Sequence, residues 1–425
     1  MEKRLKIGLL GLGVVGTGVI KVVAQNSAKI LSTTGVKLEV AKVLVRVGED
    51  KKTIADEYGF TLVHDINDIT SDPEIDIVVE VMGKIEPAKS FILNAFNNKK
   101  HVVSANKDLI AQYGNELVSA AQQNDCYFYY EASVAGGIPI LRTMVNSFLA
   151  DEITEVFGIV NGTTNYMLTQ MLENHLSYET SLKQAQELGF AESDPTNDVD
   201  GIDAAYKAVI LTRFAFKQDL KMQDFSIKGI RGIDLADLEL AQQLGYEVKL
   251  IAQTKNSNNG VYADVAPKLV PKFHPLASIR NELNGVFIKS LGIGESMFYG
   301  PGAGSIPTAT SVVNDLTVIA QRIAEKRQVT PFTNYQEQIK LQKANAVSGR
   351  FYLALKAENE EQVTKIATIL AETDLAVELV EQNQTETFRL VYLTQKITLE
   401  KRDKVIKAFR KAEVEVTQMM EILEG

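Results

Sequence analysis

An aspartate and a lysine four residues apart, Asp203 and Lys207, close the densest polar segment of the chain. It reads Gly189-Phe190-Ala191-Glu192-Ser193-Asp194-Pro195-Thr196-Asn197-Asp198-Val199-Asp200-Gly201-Ile202-Asp203-Ala204-Ala205-Tyr206-Lys207. Residues i and i+4 share a helix face, so the two can form a solvated ion pair or a proton-handling pair. The flanking residues Ala204-Ala205-Tyr206 and Ala208-Val209-Ile210-Leu211 are largely apolar, which favours withdrawal from water, and the preceding loop brings Glu192 and Asp198 into reach. Asp200 reads as the N-cap of this helix, with Asp203 at its third position. Upstream, Val160-Asn161-Gly162-Thr163-Thr164-Asn165 ends a strand and opens a helix. Its hydroxyls and free N–H groups can hold a carboxylate, or act as a plain helix cap.

Near the N-terminus, Gly11-Leu12-Gly13-Val14-Val15-Gly16 follows a predicted strand and opens a predicted helix. In that context G-x-G-x-x-G is a dinucleotide signature: a tight turn, close approach of a pyrophosphate to the backbone, and close helix–strand packing. The next strand, Val43-Leu44-Val45, ends in Arg46, a partner for a 2′-phosphate, which favours NADP; Glu49 and Asp50 close behind keep NAD open. Ser104-Ala105-Asn106-Lys107 sits just past another strand end, where open α/β sheets bind their ligands; a surface lysine is the alternative for Lys107.

The elements that must position these groups are legible in outline. Over residues 1–130, strand-like runs at 6–10, 38–46, 75–80, 102–104 and 126–130 alternate with helical patterns at 14–31, 87–98 and 113–124, which predicts a parallel sheet covered on both faces. From about 136 to 300, helices near 139–150, 164–173, 178–188 and 201–215 mix with strands at 152–160, 248–254, 261–270 and 286–290, an α+β pattern around one open sheet. A glycine cluster at 299–304 leads into a long helix over 308–325 that should pack back on the first domain. Residues 350–425 follow a βαββαβ order, with strands at 351–356, 376–380, 387–394 and 415–423 and helices at 361–372 and 399–411, as in small ferredoxin-like domains.

Composition excludes several classes. With 425 residues, 45% of them hydrophobic, the chain can bury several cores. A net charge of −9 argues against a broad nucleic-acid or anionic-lipid surface. The single cysteine, Cys126, cannot form an internal disulfide and reads as a core thiol in a reducing compartment. The apolar run near the start merges into the glycine motif without a small-residue cleavage site, and no run reaches the roughly 18 residues of a membrane span. A cytoplasmic protein is expected. His64, His101, His175 and His274 have no zinc-like spacing.

Five motifs in order resemble homoserine dehydrogenase: G-L-G-V-V-G at 11–16, S-A-N-K at 104–107, E-A-S-V-A-G-G-I-P at 131–139, N-G-T-T-N-Y at 161–166 and G-F-A-E-S-D-P with D-V-D-G-I-D-A-A-Y-K across 189–207. The resemblance implies interconversion of L-aspartate 4-semialdehyde and L-homoserine with NAD(P)H, on the way to threonine, methionine and isoleucine. It implies that Lys207 is the proton donor and acceptor with Asp203 its partner, and that Lys107 lies near nicotinamide and substrate. Glu192 would bind the substrate amino group with help from Asp198, and Asn161, Gly162 and Thr163 would line the substrate site. Residues 11–16, Arg46, Ser104, Lys107 and Gly304 would contact the cofactor. Glu131, Val134, Gly136 and Ile138 would hold a structural sodium ion, mostly through backbone carbonyls.

The chemistry is consistent with these roles. As hydride reaches the aldehyde carbon, charge grows on its oxygen, and a lysine ammonium there stabilises it and delivers the proton. In the reverse direction the lysine must first be deprotonated, so homoserine oxidation should rise with pH above neutral. The implied architecture is α/β: a Rossmann domain over 1–135 completed by a helix over 305–328, a catalytic and dimerisation domain over 136–304, a linker over 329–349, and a ferredoxin-like ACT domain over 350–425. A homodimer or higher oligomer is implied, with an amino-acid effector or an oligomerisation role for the C-terminal segment. Two departures stand out. Lys84 replaces a second glycine common after Val79-Glu80-Val81-Met82-Gly83, and would be strained if φ there were positive. The turn at 357–362 lacks the Pro-Gly of many ACT domains. Two other readings remain: an oxidoreductase acting on an amine, and a non-catalytic dinucleotide sensor.

Overall fold

The computed structural model describes residues 3–334, 339–384 and 387–424; residues 335–338 of the expected linker therefore lie outside the described residues, as do 1–2, 385–386 and 425. Six parallel strands make the first sheet: β1 (Lys3–Leu10), β2 (Val36–Leu44), β3 (Thr61–Val63), β4 (Ile77–Glu80), β5 (His101–Ser104) and β6 (Phe128–Tyr129), in the order β3-β2-β1-β4-β5-β6. Such a sheet is covered on both faces, so its strands are apolar runs; Ile7, Leu9, Ile77, Val78 and Val79 are fully buried. Chain order reverses between β1 and β4, which opens a crevice at their carboxyl ends. The strand predicted over 38–46 starts and ends two residues earlier, and the one predicted over 126–130 is shortened to two residues. The helix expected over 14–31 is two, Val14–Gln25 and Ser27–Thr34, parted at Asn26. Helix Ser305–Ala324 packs on Val14–Gln25, as expected from its sequence: a Cβ on Gly18 would come within 2.6 Å of the Ser305 carbonyl oxygen, and the Ser305 hydroxyl donates to the Val14 carbonyl at 2.7 Å.

The second sheet begins with β7 (Ile153–Ile159), a short β8 (Ser226–Ile227), β9 (Tyr246–Ser257), β10 (Gly260–Pro271), β11 (Leu283–Ser290) and β12 (Gly294–Pro301). It continues through β13 (Ser348–Ala357), β14 (Val377–Gln384), β15 (Phe388–Thr394), β16 (Ile397–Thr398) and β17 (Glu415–Ile422). The order is β12-β11-β7-β9-β10-β17-β13-β15-β14. The C-terminal strands thus have the β17-β13-β15-β14 order of a ferredoxin-like unit, with helices Glu360–Glu372 and Leu399–Lys411 between them. That unit is not a separate sheet. β17 pairs with β10 in parallel, Lys268 opposite Glu421 and Leu269 opposite Ile422. Period-two alternation divides β13 accordingly. Phe351, Leu353 and Leu355 pack under the unit's own helices, whereas Tyr352 and Ala354 join the core shared with the rest of the chain. Across the junction the wholly buried Lys268 meets Asp264 at 2.8 Å, Gln253 at 2.6 Å and Glu421 at 2.5 Å. Among the described residues no helix is long and apolar enough to cross a membrane.

Candidate active site

Asn106 starts the site's first element. Its side chain accepts from the Leu109 N–H at 3.2 Å and caps helix Lys107–Gln123, so the helix begins on Lys107 at the carboxyl end of β5. The second element is helix Ile202–Phe216, which carries Asp203 and Lys207 on one face. Its N-cap is Gly201, at φ 81°, and not Asp200. The left-handed turn suits glycine, and Asp200 instead ends the short helix Thr196–Val199 and pairs with Arg231. Buried Arg213 brings the two helices together, donating to the Ile110 and Ala111 carbonyls, each at 2.6 Å, and to Asp219 at 2.8 Å.

The two lysines converge on one carboxylate. Lys207 Nζ lies 2.8 Å from Asp203 Oδ2, and Lys107 Nζ lies 3.4 Å from Oδ1. Lys207 also donates to the Val160 carbonyl at 2.6 Å, at the end of β7. Asn161 Nδ2 bridges Asp203 Oδ2 at 2.9 Å and Asp198 Oδ1 at 2.7 Å, while its oxygen caps the next helix by accepting from the Thr164 N–H at 2.9 Å. Burial pushes the Asp203 carboxyl up, but Lys207 and Lys107 outweigh it and hold the group below the usual aspartate range. Lys107 is also partly desolvated, yet Asp203 and Asp108 hold its ammonium above the usual lysine value. Asp198 is raised by burial, against the Asn161 hydrogen bond, with Asp203 adding repulsion. The Asp203 and Lys207 side chains are 10% and 12% exposed, whereas Lys107 is 35% exposed, so the cluster opens on the Lys107 flank. A protected carboxylate holding two ammonium groups is suited to stabilising an oxyanion and delivering a proton to it.

Around this cluster the other candidates divide. The Thr163 hydroxyl donates to the Phe190 carbonyl at 2.5 Å, and Gly162 packs so closely that a Cβ would come within 2.7 Å of the Glu282 carbonyl oxygen. Glu192 is exposed, and among the described residues its side chain has no hydrogen bond or ion pair. The structure therefore does not join it to the lysine cluster. Cys126 is buried, and burial pushes its thiol up to about 11, as befits a core residue.

The dinucleotide motif opens on a cleft of about 750 Å³ at the crevice between β1, β2 and β4. Gly11, Leu12, Gly13 and Arg46 line it, as does Lys84, whose charge the sequence suggested could reach the cofactor, and so do Lys51 and His64, which sequence reasoning did not assign to it. A Cβ on Gly13 would meet nothing within 4 Å, so its missing side chain leaves room over the backbone; one on Gly16 would come within 2.2 Å of the Gly11 carbonyl oxygen. Room at the second glycine and close packing at the third fit a pyrophosphate. Val14 is exposed at the helix start, and Gly304 caps the helix that docks beside it. Ser104 turns its hydroxyl to the buried Glu80 at 2.6 Å. Gly83, at φ 78°, takes the left-handed turn, so Lys84 carries no strain.

Glu131 is buried and accepts from the Leu141 and Arg142 N–H groups, each at 2.8 Å. Burial and nearby Asp315 push its carboxyl up to about 8. Asp315 itself is raised to about 6 by burial, and Arg142 is the cation that faces both. One guanidinium thus serves two buried carboxyl groups, and the raised Glu131 keeps its proton at neutral pH. The Gly136 carbonyl accepts from the Ser311 hydroxyl at 2.7 Å and, like any carbonyl, has a second lone pair.

Comparison with known proteins agrees with this geometry. A family model described as the homoserine dehydrogenase NAD-binding domain matches residues 11–131, and one described as homoserine dehydrogenase matches residues 139–317. A homoserine dehydrogenase of Lactococcus lactis is 43% identical over 91% of each chain. The crystal structure of a homoserine dehydrogenase from Thiobacillus denitrificans superposes with a TM-score of 0.92 at 33% identity, covering 99% of both chains. A hyperthermophilic archaeal homoserine dehydrogenase in complex with NADPH gives a TM-score of 0.63 at 26% identity, over 74% of this chain and 96% of that one. Glycine cleft, convergent lysines and relatives spanning nearly the whole chain agree: it belongs to the homoserine dehydrogenase family, NAD(P)-dependent oxidoreductases that interconvert L-aspartate 4-semialdehyde and L-homoserine.

Proposed function

We propose that Lys207 is the group that gives a proton to the aldehyde oxygen of L-aspartate 4-semialdehyde and takes it back from L-homoserine. Lys107 provides a second, permanent positive charge beside that oxygen, and Asp203 orients both. The observation that carries this reading is the seating of both amino groups on opposite oxygens of one protected carboxylate. Glu192 and Asp198 receive the substrate's ammonium group; the Glu192 carboxylate, free of protein partners among the described residues, is available for it. Asn161, Gly162 and Thr163 line the same side at a helix start. The nicotinamide cofactor supplies the hydride, and the chain supplies position and field.

NADP is the preferred cofactor in this reading, held by residues 11–16, Arg46, Ser104, Lys107 and Gly304. Support comes from Arg46, Lys51 and Lys84 lining one cleft, and from the archaeal relative that binds NADPH. Residues Glu131, Val134, Gly136 and Ile138 hold a structural sodium ion. In this reading Glu131 supplies the one carboxylate, and backbone carbonyl oxygens supply most of the other ligands. The chain divides into a dinucleotide domain over 1–135 with helix 305–328, a catalytic domain over 136–304, a linker over 329–349 and an ACT-like unit over 350–425 that takes an amino-acid effector or serves assembly. Exposed Leu291 and Tyr299, at the β11–β12 end of the middle sheet, suit a homo-oligomer, which we place in the cytoplasm on the pathway to threonine, methionine and isoleucine.

The test is a spectrophotometric assay of homoserine oxidation and semialdehyde reduction with each cofactor. Lys207→Ala is expected to lower kcat by roughly 10²–10⁴-fold with cofactor affinity nearly unchanged. A near-normal kcat in that variant removes Lys207 from the mechanism.

A further inference from the structure

Glu80 ends β4 with no exposed surface. Its carboxylate accepts from Ser104 Oγ at 2.6 Å on Oε2, and from the Met82 N–H at 2.8 Å and Asn106 Nδ2 at 3.4 Å on Oε1, with the Gly83 N–H also directed at it. The backbone and amide nitrogens can only donate. Ser104 Oγ accepts from the Asn106 N–H at 3.1 Å, which leaves its proton to the carboxylate. Among the described residues Glu80 has no ion pair, and burial raises its pKa. A buried acid held by dipoles alone is a costly way to close a strand, and an apolar residue would fill the space more cheaply.

Both arms of this network end at the chemistry. Met82 and Lys84 line the cofactor cleft. Asn106 caps the helix that starts at Lys107 and also donates to the Lys84 carbonyl at 2.8 Å. One carboxylate therefore ties the cleft-lining turn after β4 to the lysine-bearing turn after β5.

We propose that Glu80 is a positioning residue for the dehydrogenase reaction, fixing the turn that faces the cofactor against the turn that presents Lys107. The inference rests on the reading of Lys107 as a group acting on the substrate oxygen. Reacting groups displaced by about 1 Å can lose on the order of a hundredfold in rate, so a brace at this point controls kcat.

The experiment is a double-mutant cycle of Glu80→Gln with Lys107→Met, measured as kcat for semialdehyde reduction at saturating NADPH, with the thermal midpoint of each variant recorded. Glutamine keeps the volume, and Ser104 can turn its hydroxyl to accept from the new amide, so folding is preserved while the brace weakens. The expected result is a fall of about tenfold for Glu80→Gln in the wild-type background and less than about twofold in the Lys107→Met background, because residues acting as a unit are not additive. Equal losses in the two backgrounds would make Glu80 merely structural and overturn the proposal, as would wild-type kcat in Glu80→Gln. If that variant does not fold, Ser104→Ala, which removes the donor to Oε2, goes through the same cycle under the same criteria. Failure of the Lys107 reading is distinguishable: it appears as normal kcat in Lys107→Met alone, and it would take the proposal with it.

Discussion

Removing the Asp203 carboxylate should damage stability and catalysis together. It faces Lys207 at 2.8 Å, Asn161 at 2.9 Å and Lys107 at 3.4 Å. Taking one partner from a buried ion cluster costs roughly 3–5 kcal/mol, mostly because the charges left behind have lost their water. Lys107 keeps about a third of its side-chain surface in solvent and can rehydrate, so Asp203→Ala should cost about 3 kcal/mol, near the low end. Asp203→Asn retains an acceptor for one lysine but presents N–H to the other, and about half that loss is expected. The sign of the pH dependence follows from the shifts. Asp203 is depressed below its ordinary 3.8, so its contribution is present above that value and is lost as pH falls through the folded pKa. Lys107 is raised above 10.5, so its contribution is present below that value and is lost as pH rises through the folded pKa. The difference between wild type and Asp203→Ala should therefore be flat from about pH 4 to 10 and shrink outside. Urea unfolding across pH measures it, and kcat measured in parallel should fall by at least about a hundredfold. An Asp203→Ala protein that unfolds at the wild-type urea concentration and turns over within twofold of wild type would refute the reasoning.

Three further outcomes can be checked. Gly13→Ala should leave the thermal midpoint unchanged but raise KM for NADPH by about tenfold or more, whereas Gly16→Ala should cost roughly 1–3 kcal/mol of stability because its Cβ has no room; the reverse pattern would misplace the pyrophosphate. Arg46→Ala should raise KM for NADPH about 10–100-fold, the worth of a charged hydrogen bond, and leave KM for NADH unchanged; equal effects on both would remove Arg46 from cofactor choice. Glu131 ionises at about 8 in the fold against 4.5 ordinarily, so the folded state holds the proton more tightly in that window and stability should fall as pH rises through it. Glu131→Gln should flatten this fall, and sodium chloride should lessen it relative to choline chloride; thermal midpoints identical in the two salts above pH 8 would speak against the cation.

The parts of the molecule most legible in its sequence are those where a geometric demand admits few residue types. The turn at Gly11-Leu12-Gly13 is one, and the long helix docking against Gly18 follows from its own periodicity. The C-terminal βαββαβ order was readable because each element has a clean apolar rhythm. β12 was not: Gly294, Gly300 and Pro301 give it the composition of a turn, and it lies half-exposed on the sheet's outer edge. Helix Leu235–Gln243 was missed as well. Asp200 looked like a helix cap because its residue type suits one, but the left-handed Gly201 beside it decided where the helix begins. The meeting of Lys107 with Asp203 is a tertiary fact that no local spacing encodes. A signal for it did exist in Arg213, a charged residue inside an apolar helical run, whose burial requires partners from another element. Glu80 offered the same kind of signal, as an acid closing an otherwise apolar strand.

The pairing of β17 with β10 gives the C-terminal unit an architectural consequence. Truncation before residue 348 would strip a ladder partner from the middle of the sheet, bare the edge of β10 and leave Lys268 with one carboxylate where it had two. An unprotected edge beside an undercompensated buried cation invites sticking to other chains. The last eighty or so residues are thus less an appendage than a keystone: shortened versions of this dehydrogenase should precipitate before they can report on control by small molecules, and any signal arising there already has a rigid backbone connection to the catalytic half.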